Sequence, residues 1–431
     1  MSDTTMGPAM GCDEYQLLAR RSLLKTAWRF GAATALSSPA WLPRMAFAAD
    51  ENTSRDLIVC VFLRGGADGL SLCVPFGDAD YYNARSVIAV PPPDASGTRK
   101  AIDLDGFFGL PPALASLKPF YDENQLAIIH ASGLPNDTRS HFEAQGLMEA
   151  GDPTGSQGSG WLARHLLSVS ALASSALRAM AASNGLPRSL SGAPNAVAIP
   201  NIDGYGLIGR AQTTTERRAY LDALYEGAAD PLATTAMNVG ATIDVIEQIS
   251  AGGYTPANGA LYPEDEWGRG LRAIAQIAKA EVGLEVACID LGGWDTHAFQ
   301  GTLDGQLNNQ MTRLADGLAA FYADMRDRAA STTLIVLSEF GRRVAENLSL
   351  GCDHGHGNAM FVLGGNVNGG RVIADWPGLQ TDQLDNGRDL AITTDYRDVL
   401  AEILTRRAAN TAIDEVFPGF TPTSLDIVES T

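Results

Sequence analysis

Apolar residues in this chain come in short unbroken runs rather than in alternation. Leu57-Ile58-Val59-Cys60-Val61-Phe62-Leu63, Leu126-Ala127-Ile128-Ile129-His130, Ala196-Val197-Ala198-Ile199, Leu284-Glu285-Val286-Ala287-Cys288-Ile289, Thr333-Leu334-Ile335-Val336-Leu337 and Met360-Phe361-Val362-Leu363 are rich in β-branched side chains. Runs of this length and continuity predict strands buried on both faces. Between them lie Ala-rich amphipathic stretches of helical length, among them 141–150, 161–181, 214–228, 265–281, 303–328 and 395–407, whereas 182–196 and 251–262 carry the Gly, Pro, Asn and Ser of loops. Strands separated by helices predict a mainly parallel sheet with right-handed crossovers. With no internal repeat, one α/β domain with insertions is the simplest reading.

The unusual polar residues follow the predicted strands. Arg64-Gly65-Gly66-Ala67-Asp68-Gly69 comes after the first and Gly133 to His141 after the second, while Gly292 to His297 and Ser338-Glu339-Phe340-Gly341-Arg342-Arg343 follow two later ones. In open α/β sheets the ligand crevice lies beyond the carboxyl ends of the strands, so these segments are expected to converge there. Of the six histidines, three fall in Asp295-Thr296-His297 and Asp353-His354-Gly355-His356. Glycines beside them allow a loop tight enough to aim several side chains at one point. Asp295, His297, Asp353, His354 and His356 form a mixed carboxylate and imidazole set that suits one or two zinc, manganese or iron ions. Asp290 and Asp68 are further carboxylate candidates. The competing reading is that these residues cap turns and satisfy loop backbone.

Glu339 could complete a metal shell or act as a base, and the guanidinium of Arg342 could clamp an anion; an internal ion pair between them is the plainer alternative. Ser140 and Thr138 stand at the predicted start of helix 141–150. There a hydroxyl is either an N-cap, with Glu143 three residues after Ser140, or a nucleophile beside the positive end of the helix dipole. His130 and His165 lie in apolar surroundings and read as core residues.

Composition narrows the picture. Hydrophobic residues make up 45% of the 431, enough for a well-buried core. A formal charge of −19 argues against nucleic-acid binding, which needs basic patches. Residues 1–48 read as a removable export signal: Arg20-Arg21-Ser22-Leu23-Leu24-Lys25 resembles the twin-arginine motif, a weakly apolar run follows, and Ala46-Phe47-Ala48 is a small-x-small cleavage site. That run is too short and polar to span a bilayer, so the mature chain is expected to be periplasmic or secreted, handed over by the twin-arginine translocation machinery, without stable membrane insertion. Cys60, Cys73, Cys288 and Cys352 would remain, enough for up to two disulfides but lacking the CxxC of a thiolate zinc site.

The segments LRGGADGLSLCVPF (63–76), NDTRSHFEAQGLMEAG (136–151), IDLGGWDTH (289–297), LSEFGRR (337–343) and GCDHGHGNAMFVLGG (351–365), in that order behind the twin-arginine signal, resemble the exported bacterial proteins of the domain of unknown function 1501 family. More distantly the arrangement is similar to the alkaline phosphatase and sulfatase superfamily. That resemblance implies a three-layer α/β/α sandwich with a mainly parallel central sheet over 49–431, insertions at about 152–282, and metal at the carboxyl ends of the strands. It also implies a hydroxyl nucleophile at a helix start, here Ser140 or Thr138. Asp290 or Asp295 with His297 resembles its strand-end ligand pair, and His356 its late histidine ligand. Where that superfamily has an Asp-His pair, this chain has Glu339-Phe340. The expected activity is metal-dependent hydrolysis of phosphate or sulfate esters on a small molecule or polymer; the alternative is a non-catalytic exported binding or structural protein with a degenerate site.

Overall fold

The computed structural model describes residues 55–171, 177–207, 209–229 and 232–430; the twin-arginine segment and its cleavage site lie outside them. Residues Leu207–Ala241 form a compact unit of their own, with a helix over Thr214–Tyr225 and the opening turns of one over Leu232–Ala251.

The larger unit is built on a nine-stranded sheet. Its strands are β1 (Leu57–Arg64), β2 (Leu126–Gly133), β3 (Ala179–Ala181), β4 (Ala196–Ala198), β5 (Val286–Gly292), β6 (Thr332–Ser338), β7 (Asn358–Gly364), β8 (Arg371–Ile373) and β9 (Thr394–Asp395). They run in the order β8-β2-β7-β6-β1-β5-β3-β4, with β9 also on β2. Every pair is parallel except the two that β7 makes, with β2 and with β6. One reversed strand settles a geometric problem posed by the sequence. Asp353 to Gly357 precede a strand, and in a wholly parallel sheet they would lie at the opposite edge from the segments that follow β1, β2, β5 and β6. Because β7 is reversed, its amino end opens on the same edge as their carboxyl ends.

Helices cover both faces, as the unbroken apolar runs require. Val59, Val61 and Leu63 of β1 pack in the cluster that includes Trp267, Leu271 and Ile274 of α3 (Glu266–Lys279) and Met311, Leu314 and Leu318 of α4 (Gln306–Asp324). The alternate residues Ile58, Cys60 and Phe62 pack with α1 (His141–Ala150), α2 (Trp161–Ser168) and α5 (Tyr396–Arg407) through Leu147, Trp161, Leu162 and Leu400. The result is the three-layer α/β/α sandwich. The helix expected over 161–181 ends at Ser168, and Ala179–Ala181 is β3, fully buried against β5. Alanine's helix preference gives way there to the burial of a sheet position. No helix among the described residues is long and apolar enough to cross a membrane.

Candidate metal centre

Two glycines let the loops meet. Gly65, directly after β1, has φ +118°, and a Cβ there would stand 2.7 Å from the backbone N of Asp295. A Cβ on Gly355 would come within 2.3 Å of the carbonyl carbon of Arg342. Both close approaches bring the segments after β1, β5 and β6 against the one before β7.

Where these loops join, His141, Asp295 and His354 bring their ligand atoms within 4.8 Å of one another, and His297 adjoins this group beside Asp295 and His354. Asp295 Oδ1 lies 3.4 Å from His141 Nε2, 3.0 Å from His297 Nε2 and 3.2 Å from His354 Nε2; the last two nitrogens are 2.9 Å apart. Ligand atoms about 2.0–2.1 Å from a tetrahedral zinc stand about 3.3 Å from one another, so these separations fit a first-row divalent ion. Tautomers point the same way. His354 Nδ1 donates to the Arg139 carbonyl at 2.9 Å and His141 Nδ1 to the Glu339 carboxylate at 2.8 Å, and both partners can only accept. Each Nε2 lone pair is therefore turned into the cluster, and His141 Nε2, though buried, has no hydrogen-bond partner. His297 Nδ1 is backed by Asp353 Oδ1 at 3.5 Å. Imidazoles backed by carboxylates and a carbonyl are the usual outer support of a metal site.

The electrostatics suit a cation. Burial lowers the pKa of His354, favouring the neutral ring that a metal needs, whereas the hydrogen bond that His141 donates to Glu339 raises that of His141. Burial would lift the Asp295 carboxyl, but the hydrogen bond and charge of Arg342 outweigh it and hold its pKa at about 2. Burial likewise opposes ionisation of Glu339, yet hydrogen bonds from His141 and Gln145 keep it below the ordinary range. The side chains of Asp295 and His297 are 47% and 43% exposed, so the cluster opens to solvent and to a substrate.

The expected site residues divide into three groups. Asp295, His297 and His354 come together in the cluster. Asp353 stands behind it, accepting from Asn347 and pairing with Arg343 as well as His297. His356 turns away: its Nε2 donates to the Leu134 carbonyl and its Nδ1 meets Asp385 Oδ2 at 2.6 Å. With Asp137 these two make a second carboxylate and imidazole group. The 2.6 Å contact is a hydrogen-bond length that one proton satisfies, so a metal is not required there.

Glu339 is fully buried and lies behind His141 rather than at the cluster, its Oε1 accepting from His141, Gln145 and the backbone of Gly65. Arg342 is 1% exposed and donates to the carbonyls of Gly65, Gly66, Trp294 and Cys352 and to Asp295. It is a clasp between loops, its donors spent on four carbonyls and Asp295. Asp290 pairs with Arg64, and Asp68 is buried against Arg85. Ser140 is the exposed N-cap of α1 and makes no capping bond, while Thr138 Oγ1 donates to Glu143. His130 and His165 are core residues. The four cysteines among the described residues are buried free thiols, so no disulfide joins any two of them.

His141 is a candidate ligand that sequence reasoning missed. One signal was available: His141 and Gln145 are four apart on one helix face, a spacing that lets both reach the same carboxylate.

The model of the family described as "Protein of unknown function (DUF1501)" matches residues 125–413, a span holding His141, Asp295, His297 and His354. The chain belongs to this family. No curated protein matches the DUF1501 chain. Among solved structures it is similar to the C-terminal periplasmic domain of EcEptC from Escherichia coli in complex with Zn, at 10% identity and TM-score 0.35 over 75% of this chain and 77% of that one. Another structure of the same domain gives 9% identity and TM-score 0.38 over 89% and 92%. The alkaline phosphatase of the Antarctic bacterium TAB5 gives 10% identity and TM-score 0.32 over 72% and 92%.

Proposed function

We propose that the DUF1501 chain is an exported metal-dependent hydrolase of phosphate or sulfate esters. The observation that supports this reading is the convergence of three imidazole Nε2 atoms and one carboxylate oxygen, with two of the rings locked by acceptors on their far side. His141, Asp295, His297 and His354 would hold one divalent ion, zinc being the best fit to a set rich in imidazole. Such an ion supplies Lewis-acid stabilisation of charge on the ester oxygens. Glu339 keeps His141 in the ligating tautomer, and Arg342 holds Asp295 ionised.

Ser140 is the nucleophile in this reading. Its hydroxyl is uncommitted as a cap, it adjoins a ligand residue, and it stands at the amino end of a ten-residue helix whose unpaired N–H groups favour an anion. Hydrolysis of an aryl phosphate or aryl sulfate by zinc-loaded protein tests the proposal. Ser140→Ala is expected to retain the metal and lose at least about a hundredfold in kcat. Undiminished turnover in that variant would move the attack to solvent, and no turnover of either ester by the loaded wild type would count against the hydrolase. Removal of residues 1–48 belongs to the same reading; N-terminal sequencing of the exported chain should begin at Ala49.

A further inference from the structure

Large exposed apolar side chains lie next along the chain to residues of the candidate centre. Phe142, 91% exposed, directly follows His141; Phe299, 76% exposed, lies two residues after His297; Leu348, fully exposed, follows Asn347, which donates to both the His297 carbonyl and Asp353. Phe299 N donates to the Ser349 carbonyl and Gln300 N to the Leu350 carbonyl, which binds the loops of Phe299 and Leu348 to each other. Phe299 and Leu350 hold left-handed backbones, φ +46° and +59°, which bulky side chains rarely adopt. Such strain, on residues flanking a site, is maintained by the surrounding bonds and fixes where the side chains project.

We propose that this rim binds the apolar part of the substrate, so that the ester is a dispersed amphiphile with its anionic head at the metal centre and an alkyl or aryl tail on Phe142, Phe299 and Leu348. The inference rests on the ester-binding reading of the centre. Charge favours an amphiphile over a polyanionic polymer, because a chain of formal charge −19 repels an extended anion but meets only one charge on an amphiphile's head. Three large exposed apolar side chains in the loops that carry an open polar centre would otherwise be a solubility liability.

The test is calorimetric titration of zinc-loaded protein with methyl-, butyl- and octylphosphonate below micellar concentration. Affinity should rise about twofold per methylene, half the gain of full burial, or roughly fifteenfold from butyl to octyl. In the Phe142→Ser/Phe299→Ser/Leu348→Ser variant, with zinc content unchanged, the series should be flat. Methylphosphonate reports on the centre and the slope on the rim. Binding of methylphosphonate with no slope in the wild type overturns the rim and leaves the centre standing. A slope without methylphosphonate binding removes the ester reading and keeps the apolar surface. Loss of both overturns both. Cosedimentation with phosphatidylcholine vesicles that the triple variant abolishes would overturn the dispersed substrate in favour of a bilayer.

Discussion

Phe340 and Glu339 stand where the superfamily resemblance leads one to expect a metal-binding pair, and both support the centre from behind. The Phe340 ring stacks on His141 with centroids 4.9 Å apart and leans on His354 at 4.8 Å, while Glu339 fixes the tautomer of His141. Glu339→Gln should therefore weaken zinc binding by about 10–100-fold without unfolding the chain, as measured by competition with a chelator. The same bond sets a pH dependence. Ligands must lose their protons to bind metal, and the raised pKa of His141 means that protons begin to compete above the ordinary imidazole value of about 6.5 as the solution is acidified. Zinc affinity should fall as pH drops through that range. In Glu339→Gln, which removes the main cause of the shift, the fall should begin at lower pH. The role of Glu339 was not legible in the sequence, because a carboxylate after a buried strand looks the same whether it faces a metal or the back of a histidine. That His356 stands apart from His354 was not legible for a related reason: nearness along the chain suggested a shared site, while its partner Asp385 lies 29 residues away.

At the level of elements, the candidate centre depends on buried contacts outside the cluster itself. Asp68, after β1, accepts from Arg85, Ser71 and Gln300, and Arg85 in turn donates to the carbonyls of Arg343 and Val344. This fully buried pair ties the segments that follow β1, β5 and β6. Asp68→Asn leaves Arg85 uncompensated and should cost about 3–5 kcal/mol in urea denaturation. Burial opposes the charge of Asp68, but Arg85 outweighs it and lowers the carboxyl pKa. A depressed folded-state pKa contributes stability above the unfolded value of about 3.9, and that contribution is lost as pH falls toward the folded one. Acid unfolding of the wild type should steepen below about pH 4, and Asp68→Asn should flatten it. Gly65→Ala meets both a positive φ and the backbone of Asp295; a loss of about 1–3 kcal/mol together with weaker zinc binding is expected, and zinc affinity equal to wild type would show that the loop contact does not position Asp295. Helices 141–150 and 395–407 were legible because their apolar spacing agrees with what tertiary packing demands. The overlong 161–181 failed where a short buried strand uses the same alanines as a helix would.

For the whole molecule, the apolar runs predicted strands buried on both faces, and the two core clusters on either side of β1 are the physical form of that prediction. The reversal of β7 could not be read from periodicity, since an unbroken apolar strand looks alike in either direction. That reversal nevertheless decides the site, by delivering His354 to the edge that holds His141, Asp295 and His297. The central claim is that these four residues, and not His356, hold one divalent ion. Zinc content by elemental analysis of protein purified without chelators tests it most directly, in wild type, His141→Ala/His354→Ala and His356→Ala. The account predicts about one equivalent in wild type and in His356→Ala, and loss in the double variant with its circular dichroism retained. Zinc lost in His356→Ala but kept in His141→Ala/His354→Ala would contradict it.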